Sequence, residues 1–310
     1  MTASLLVTGA NSFIGSSLIR HLIKRDEMKI VATYRQNKES LVDLSTDQLK
    51  YVACDLSDSS AVSRLFEDYN VGSVVHLAAA RPGQKGIDFS KIVERDNIKA
   101  VKNLLQMAVT KDCKRFIFAS AIAVYDGLKG VGNDLLENLR PSPTSIFGQS
   151  KLAGEDLVRQ FSGNSLQGVS LRWPGVHGPG KNKGAVFHFF KAALSQAPLN
   201  ILEPHSRFRL LFIEDAIQSI LIALNEELPG SYCCYNVAGL EIFNLEALAR
   251  RILEVTKSKS SLELKKNATY RHQVLNIEKI QTELHFKPAP FRQHLLSYLD
   301  FLEGRNGQCV

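Results

Sequence analysis

Short apolar runs alternate with helical stripes along the first two-thirds of the chain, and this alternation limits the fold more than anything else in it. Leu5, Leu6 and Val7 make a strand-length run. After Gly15, Leu18, Ile19, Leu22 and Ile23 recur at helical spacing. Further strand runs follow at 30–34, 51–54, 74–77, 116–118 and 169–173. Helical stripes pass through Val62, Leu65 and Phe66, and through Val101, Leu104, Leu105 and Ala108. Strand, helix, strand, helix is the pattern of an α/β protein with a doubly wound parallel sheet. The strands are apolar throughout rather than alternating, as expected for a sheet covered on both faces. Apolar residues are 45% of the 310 and charged residues 22%, enough for a sizeable core and too apolar for a disordered chain.

Beyond about residue 180 the pattern changes. Helical stretches at 185–196, 216–225, 245–255 and 294–301 are separated by short strands at 210–213 and 235–238. The expected architecture is a Rossmann-type domain over 1–180, with 206–240 returning to it. A smaller C-terminal substrate lobe would comprise 181–205 and 241–310. The cleft between the two is the expected site, and 305–310 reads as a frayed tail.

The formal charge is +7, but the Lys and Arg are scattered and not interleaved with aromatics, which argues against a nucleic-acid partner. Five cysteines (Cys54, Cys113, Cys233, Cys234 and Cys309) show no zinc-ligand spacing, so no metal site is expected. Reduced thiols, no secretory signal and no apolar run near the ~20 residues of a membrane span point to a cytoplasmic protein with no membrane partner.

Thr8-Gly9-Ala10-Asn11-Ser12-Phe13-Ile14-Gly15 joins the first strand to the first helix. Gly9 suits the tight turn, and Gly15 lets the helix approach the sheet. The helix N-terminus then offers unpaired N–H groups and partial positive charge to a pyrophosphate. Ser12 stands where a middle glycine is usual, and its hydroxyl is a further donor. Asn11, Phe13 and Ile14 complete the expected dinucleotide contact. The second strand is followed by Tyr34-Arg35-Gln36-Asn37-Lys38, with no acid for the ribose hydroxyls. Arg35 suits a 2′-phosphate, so NADP(H) is favoured over NAD(H).

Together these motifs resemble the extended short-chain dehydrogenase/reductases, the family of nucleotide-sugar epimerases, dehydratases and ketoreductases. The resemblance covers residues 4 to about 240. Besides the glycine turn, it rests on Asp55-Leu56 after the third strand, His76-Leu77-Ala78-Ala79, Asn97, Ala119 to Tyr125, Phe147 to Lys151, and Arg172 to Gly180. It implies cofactor contacts from Asp55, Leu56, Leu77, Ala78, Ala79, Lys151, Pro174 and Val176, with Asn97 as a structural support. It implies a nucleotide-sugar substrate and a homodimer formed through the helix over 146–161.

Two matches fail where the chemistry would occur. The family's proton-carrying Tyr falls on Phe147, four residues before a retained Lys151, a spacing that shares one helix face. The family's substrate-orienting Ser or Thr falls on Ala121, and Ser120 is one strand residue away, on the opposite face. Each change removes one oxygen. The expected parent activity is hydride transfer between the nicotinamide and a sugar carbon, as in an epimerase or reductase. The chain itself reads as a disabled variant of such an enzyme. The alternatives are a natural pseudoenzyme that binds a dinucleotide without turnover, and a reductase of a non-sugar carbonyl. No acidic pair accompanies Ala121-Ile122, which argues against a dehydratase. Arg81, Ser120, Tyr125, His177, Arg207 and Arg209 are the substrate-side candidates.

Overall fold

The computed structural model describes residues 3–25, 28–36, 41, 46–81, 89–128, 134–163, 165–265 and 272–305. Asn37, Lys38, Cys309 and all of 306–310 lie outside the described residues.

The first half of the chain runs β1 (Ser4–Thr8), α1 (Phe13–Ile23), β2 (Ile30–Tyr34), β3 (Leu49–Ala53), α2 (Ser59–Asp68), β4 (Val71–His76) and α3 (Phe89–Val93). A π-helical segment, Glu94–Lys99, leads into α4 (Ala100–Thr110) and β5 (Arg115–Ala121). A 3₁₀ turn (Ile122–Tyr125), α5 (Ile146–Phe161) and β6 (Gln167–Trp173) follow. Later come β7 (Val176–His177), α6 (Ala185–Leu194), β8 (Leu199–Leu202), β9 (Arg207–Arg209), β10 (Leu211–Phe212), α7 (Ile213–Asn225) and β11 (Tyr232–Asn236). The chain closes with β12 (Ile242–Phe243), α8 (Leu245–Thr256), β13 (Leu262–Lys265), β14 (His272–Gln273), α9 (Glu278–Leu284) and α10 (Phe291–Leu302).

Seven strands form one sheet in the order β11-β6-β5-β4-β1-β2-β3, every neighbouring pair parallel. This is the Rossmann-type doubly wound sheet that the alternation of runs and stripes implies. Successive side chains of each strand enter opposite layers. Leu6, Val31, Val74, Phe116 and Phe118 pack with Val62, Leu65 and Leu104 on one face. Leu5, Val7, Ile30, Ala32, Val75 and Ile117 pack with Leu18, Ile19 and Ile217 on the other. The second layer continues without a break into Phe190, Leu248 and Leu299, so the C-terminal helices share the core of the sheet's helices.

Of the expected strand at 210–213, only Leu211–Phe212 (β10) is strand; a separate short strand, β9, precedes it, and α7 starts at Ile213. Glu214 and Asp215 stand in that helix's first turn, where carboxylates suit the positive end of the helix dipole. The β8–β13 pair and the β12-β9-β14 group are two to four residues long, too short to show a period in sequence. Among the described residues no helix is long and apolar enough to cross a membrane, and no group of His, Cys, Asp and Glu is placed to hold a metal ion.

Strand order reverses at the β4-β1-β2 junction, and ligands of such sheets bind outside the carboxyl ends of the strands at that point.

Candidate active site

A cavity of about 1010 Å³ opens there, the upper end of the size of a small-molecule site. Its floor at the centre is the turn after β1. Gly9 has φ +73°, and a Cβ there would lie 2.9 Å from the backbone nitrogen of Ala78. A Cβ on Gly15 would lie 2.2 Å from the Gly9 carbonyl oxygen. Both positions therefore need glycine for the backbones to come this close. Ser12 caps α1, its Oγ accepting from the Gly15 backbone N–H at 3.0 Å, which leaves its hydroxyl proton available. Asn11, Ser12, Phe13 and Ile14 line the cavity with Gly9, while Gly15 supports the turn from behind. An N-terminal helix end with a glycine cradle fits the pyrophosphate of a dinucleotide.

The segment after β4 forms the adjoining wall, and two side chains pin it. Thr8 Oγ1 accepts from the backbone N–H of Leu77 and Ala78 at 3.1 and 3.2 Å and pairs with His76 Nδ1 at 2.8 Å. Asn97 Oδ1 accepts from the Ala80 N–H at 2.7 Å, and its Nδ2 donates to the Ala80 carbonyl. Leu77, Ala78 and Ala79 line the cavity, and Asn97 lies behind them, buried. Asp55 and Leu56 line it beyond β3. Asp55 Oδ1 accepts from Ser57 N–H and Oγ–H. Burial opposes the Asp55 carboxylate, but those hydrogen bonds and the nearby Arg35 and Arg95 hold it below its ordinary range. Arg35 also lines the cavity. It is not the unopposed cation its sequence context implies: Nη1 sits 2.6 Å from Asp96 Oδ2.

At the opposite end the sequence fixes how β5 meets α5. The Asp126 carboxylate accepts from both the backbone and the hydroxyls of Thr144 and Ser145. Ser145 Oγ then caps α5 through the Gly148 N–H at 3.0 Å. A Cβ on Gly148 would lie 2.3 Å from the Ala123 carbonyl oxygen, so the helix presses directly on the 3₁₀ turn. This brings Ala121, Phe147 and Lys151 together on one wall of the cavity. Lys151 Nζ donates to the Ala119 carbonyl at 2.7 Å and lies 5.6 Å from the Phe147 ring centroid. Burial, then the charge of Arg81, pulls Lys151 down from 10.5 to about 7.

The substrate-side candidates divide. Arg81, Ser120 and His177 line the cavity, as do Pro174 and Val176. The Ser120 hydroxyl, however, donates to Glu155 Oε1, and Glu155 forms a fully buried ion pair with Arg172 at 2.6 Å. Ser120 thus serves the strand–helix junction and does not replace the hydroxyl absent at Ala121. His177 is buried, with its ring against Phe212 and Phe291. Burial, then His294, pulls it down to about 3. Tyr125 lies outside the cavity lining, its hydroxyl accepting from Arg172 and donating towards Asn236 Oδ1 and the Leu136 carbonyl. Burial pushes this phenol far above its ordinary value. Arg207 is exposed on β9, and Arg209 donates to the Gly239 and Leu240 carbonyls. Neither reaches the cavity. Sequence reasoning missed Asp96, Lys181 and Lys183, all in the lining. A basic pair just after the Arg172–Gly180 loop was the available signal for the two lysines.

A family model described as the NAD dependent epimerase/dehydratase family matches residues 5–238. A dTDP-glucose 4,6-dehydratase of Neisseria gonorrhoeae is 28% identical over 263 residues, 79% of this chain and 75% of the relative. UDP-glucuronate 4-epimerase 3 of Arabidopsis thaliana is 24% identical over 92% of this chain and 73% of its own length. Among solved structures, the Tyr-to-Phe mutant of the UDP-glucuronic acid 4-epimerase from Bacillus cereus, in complex with UDP-4-deoxy-4-fluoro-glucuronic acid and NAD, superposes with a TM-score of 0.84. It is 25% identical, covering 97% of this chain and 99% of that one. On the strength of a match across most of its length, the chain belongs to the NAD dependent epimerase/dehydratase family, a branch of the extended short-chain dehydrogenase/reductases.

Proposed function

We propose that the chain binds NAD and a nucleotide-activated sugar in this cavity and is built for epimerase-type hydride transfer at a sugar carbon, which it performs very slowly. The observation that carries the reading is the wall of Phe147, Lys151 and Ala121: the lysine is in place and both hydroxyls are missing. Bound NAD supplies the hydride acceptor. The glycine turn and α1 hold the pyrophosphate, and Thr8 and Asn97 fix the wall after β4. Proton transfer at the sugar oxygen needs a positioned acid/base, and such a group contributes roughly 10²–10⁴ in rate. Neither Phe147 nor Ala121 can move or orient that proton. NAD is preferred to NADP because Arg35 is already ion-paired, and several structural neighbours are NAD complexes. The absence of an acid at Ala121 and Ile122 in the cavity wall favours epimerase or reductase chemistry over dehydration.

A binding-only role is the second reading, favoured by an intact cradle beside an incomplete wall. Turnover of UDP-glucose, UDP-glucuronic acid and their 4-keto forms separates the two, measured on the chain and on Phe147→Tyr/Ala121→Ser with NAD and NADPH. Activity that rises at least 10²-fold in the double variant supports a disabled enzyme. Cofactor binding with no turnover in either protein supports the binding-only role. We also place the dimer contact of this reading on α5, and a monomer in sedimentation at micromolar concentration overturns that part.

A further inference from the structure

The adenosine end of the cavity carries an arrangement that the sequence around β2 does not announce. Strands of this kind usually end in an acid that takes the ribose hydroxyls, whereas β2 here ends in Tyr34 and Arg35. The carboxylate arrives from elsewhere. Asp96 sits in the π-helical segment Glu94–Lys99 and lines the cavity beside Arg35 and Asp55. Wider turns of this type recur at functional positions. Here one lets Asp96 face the cavity while its neighbour Asn97 stays buried and holds Ala80.

Asp96 is gripped from two sides. Arg35 Nη1 lies 2.6 Å from Oδ2, and Arg95 donates from Nε and Nη2 at 2.7 and 3.1 Å. The Asp96 side chain is 8% exposed and that of Arg35 47%, so the carboxylate is fixed and the guanidinium leans over it. Burial opposes the Asp96 carboxylate, but these hydrogen bonds outweigh it and keep the group ionised. Two guanidinium groups therefore face two carboxylates, Asp96 and Asp55. A 2′-phosphate, of charge about −1.5 to −2, would have to enter against both carboxylates, with Arg35 already engaged. A ribose hydroxyl meets an anchored acceptor instead.

We propose that Asp96 is the residue by which this chain selects a 2′-hydroxyl over a 2′-phosphate, making the site one for NAD and holding Arg35 away from NADP. The inference rests on the reading that the cavity binds a dinucleotide. Without Asp96, Arg35 and Arg95 lose their ion-pair partner, face only Asp55 and become a phosphate clamp, since guanidinium suits bidentate phosphate contacts.

Equilibrium titration with NAD and NADP, followed by calorimetry, tests this on the chain, Asp96→Asn, Arg35→Ala and the double variant. Thermal melts establish that each is folded. The chain is expected to bind NAD at least tenfold more tightly than NADP. Asp96→Asn is expected to cut that ratio by tenfold or more, chiefly by gaining NADP affinity. Adding Arg35→Ala is expected to remove the gain. Tighter NADP binding by the chain, or a ratio that Asp96→Asn leaves unchanged, overturns the role of Asp96 while the dinucleotide site stands. Binding of neither dinucleotide to the chain overturns the underlying reading, and the inference with it.

Discussion

Lys151 spans from α5 to β5 and donates its Nζ proton to the Ala119 carbonyl oxygen at 2.7 Å. That bond fixes the ammonium beside the Phe147 ring. The ammonium also sits over the Phe118 ring, 4.8 Å from the centroid, in surroundings that offer little hydration.

A lysine held at about 7 by burial and by Arg81 makes stability depend on pH. In the unfolded chain the group titrates near 10.4. Between about pH 7 and 10.4 the unfolded state therefore binds more protons, and stability attributable to this group rises with pH. It is lost progressively as pH falls from about 10.4 to 7, and below 7 the buried group carries charge and the loss is complete. Lys151→Met is expected to melt about 2–4 °C higher at pH 6, equivalent to about 1 kcal/mol for a chain of this size class. The gain should vanish by pH 10. Calorimetric melts at the two pH values check this, and an equal loss at both would refute it.

The buried pair of Glu155 and Arg172 has side chains 0% and 2% exposed. Removing one partner leaves a bare charge, which costs about 3–5 kcal/mol. Glu155→Gln should lower the urea midpoint accordingly. Glu155→Leu/Arg172→Met should recover much of the loss, because a buried pair replaced as a unit is often neutral. If the double variant is no more stable than the single, the pair contributes more than compensation of its own burial.

The doubly wound sheet was legible because its strands are apolar on both faces and because Gly9 and Gly15 occupy places no other residue tolerates. Phe147, Lys151 and Ala121 were legible as a group through the resemblance to the extended short-chain dehydrogenase/reductases, whose motifs fall on them, and the four-residue spacing puts Phe147 and Lys151 on one helix face. Asp96 was not, since its meaning comes from Arg35, far away in sequence, and from a π turn with no local signal. Tyr125 and Arg209 fit a substrate role by position in the chain. Their polar groups are instead consumed by Arg172 and by the carbonyls of Gly239 and Leu240. Side-chain direction decides such cases, and sequence order does not carry it.

Thr8 is buried and accepts two backbone N–H groups from the wall after β4. Thr8→Val keeps the shape and removes the acceptor. Unpaired buried donors cost about 1–3 kcal/mol, so urea unfolding should show a loss in that range. Because Leu77 and Ala78 line the cavity, NAD affinity should fall about tenfold as well, read by titration. Lost stability with unchanged NAD affinity would confine Thr8 to folding.

Arg81, Lys181 and Lys183 lend the cavity a cationic side. Lys181 lies 5.1 Å from the Phe13 ring centroid. Burial, then Arg81 and Lys183, lowers its proton affinity, so an anion placed among the three relieves their mutual repulsion. A sugar carrying a carboxylate should profit more than a neutral one. With NAD at saturation, UDP-glucuronic acid is expected to bind more tightly than UDP-glucose, and Arg81→Ala should weaken the acid about tenfold, as a lost hydrogen bond to a charged group does. The neutral sugar should change less, and the difference should shrink as salt rises, since exposed charges are screened. Calorimetry at two ionic strengths checks both points. Equal losses for the two sugars would place Arg81 on the diphosphate they share, and an effect on NAD alone would place it on the cofactor.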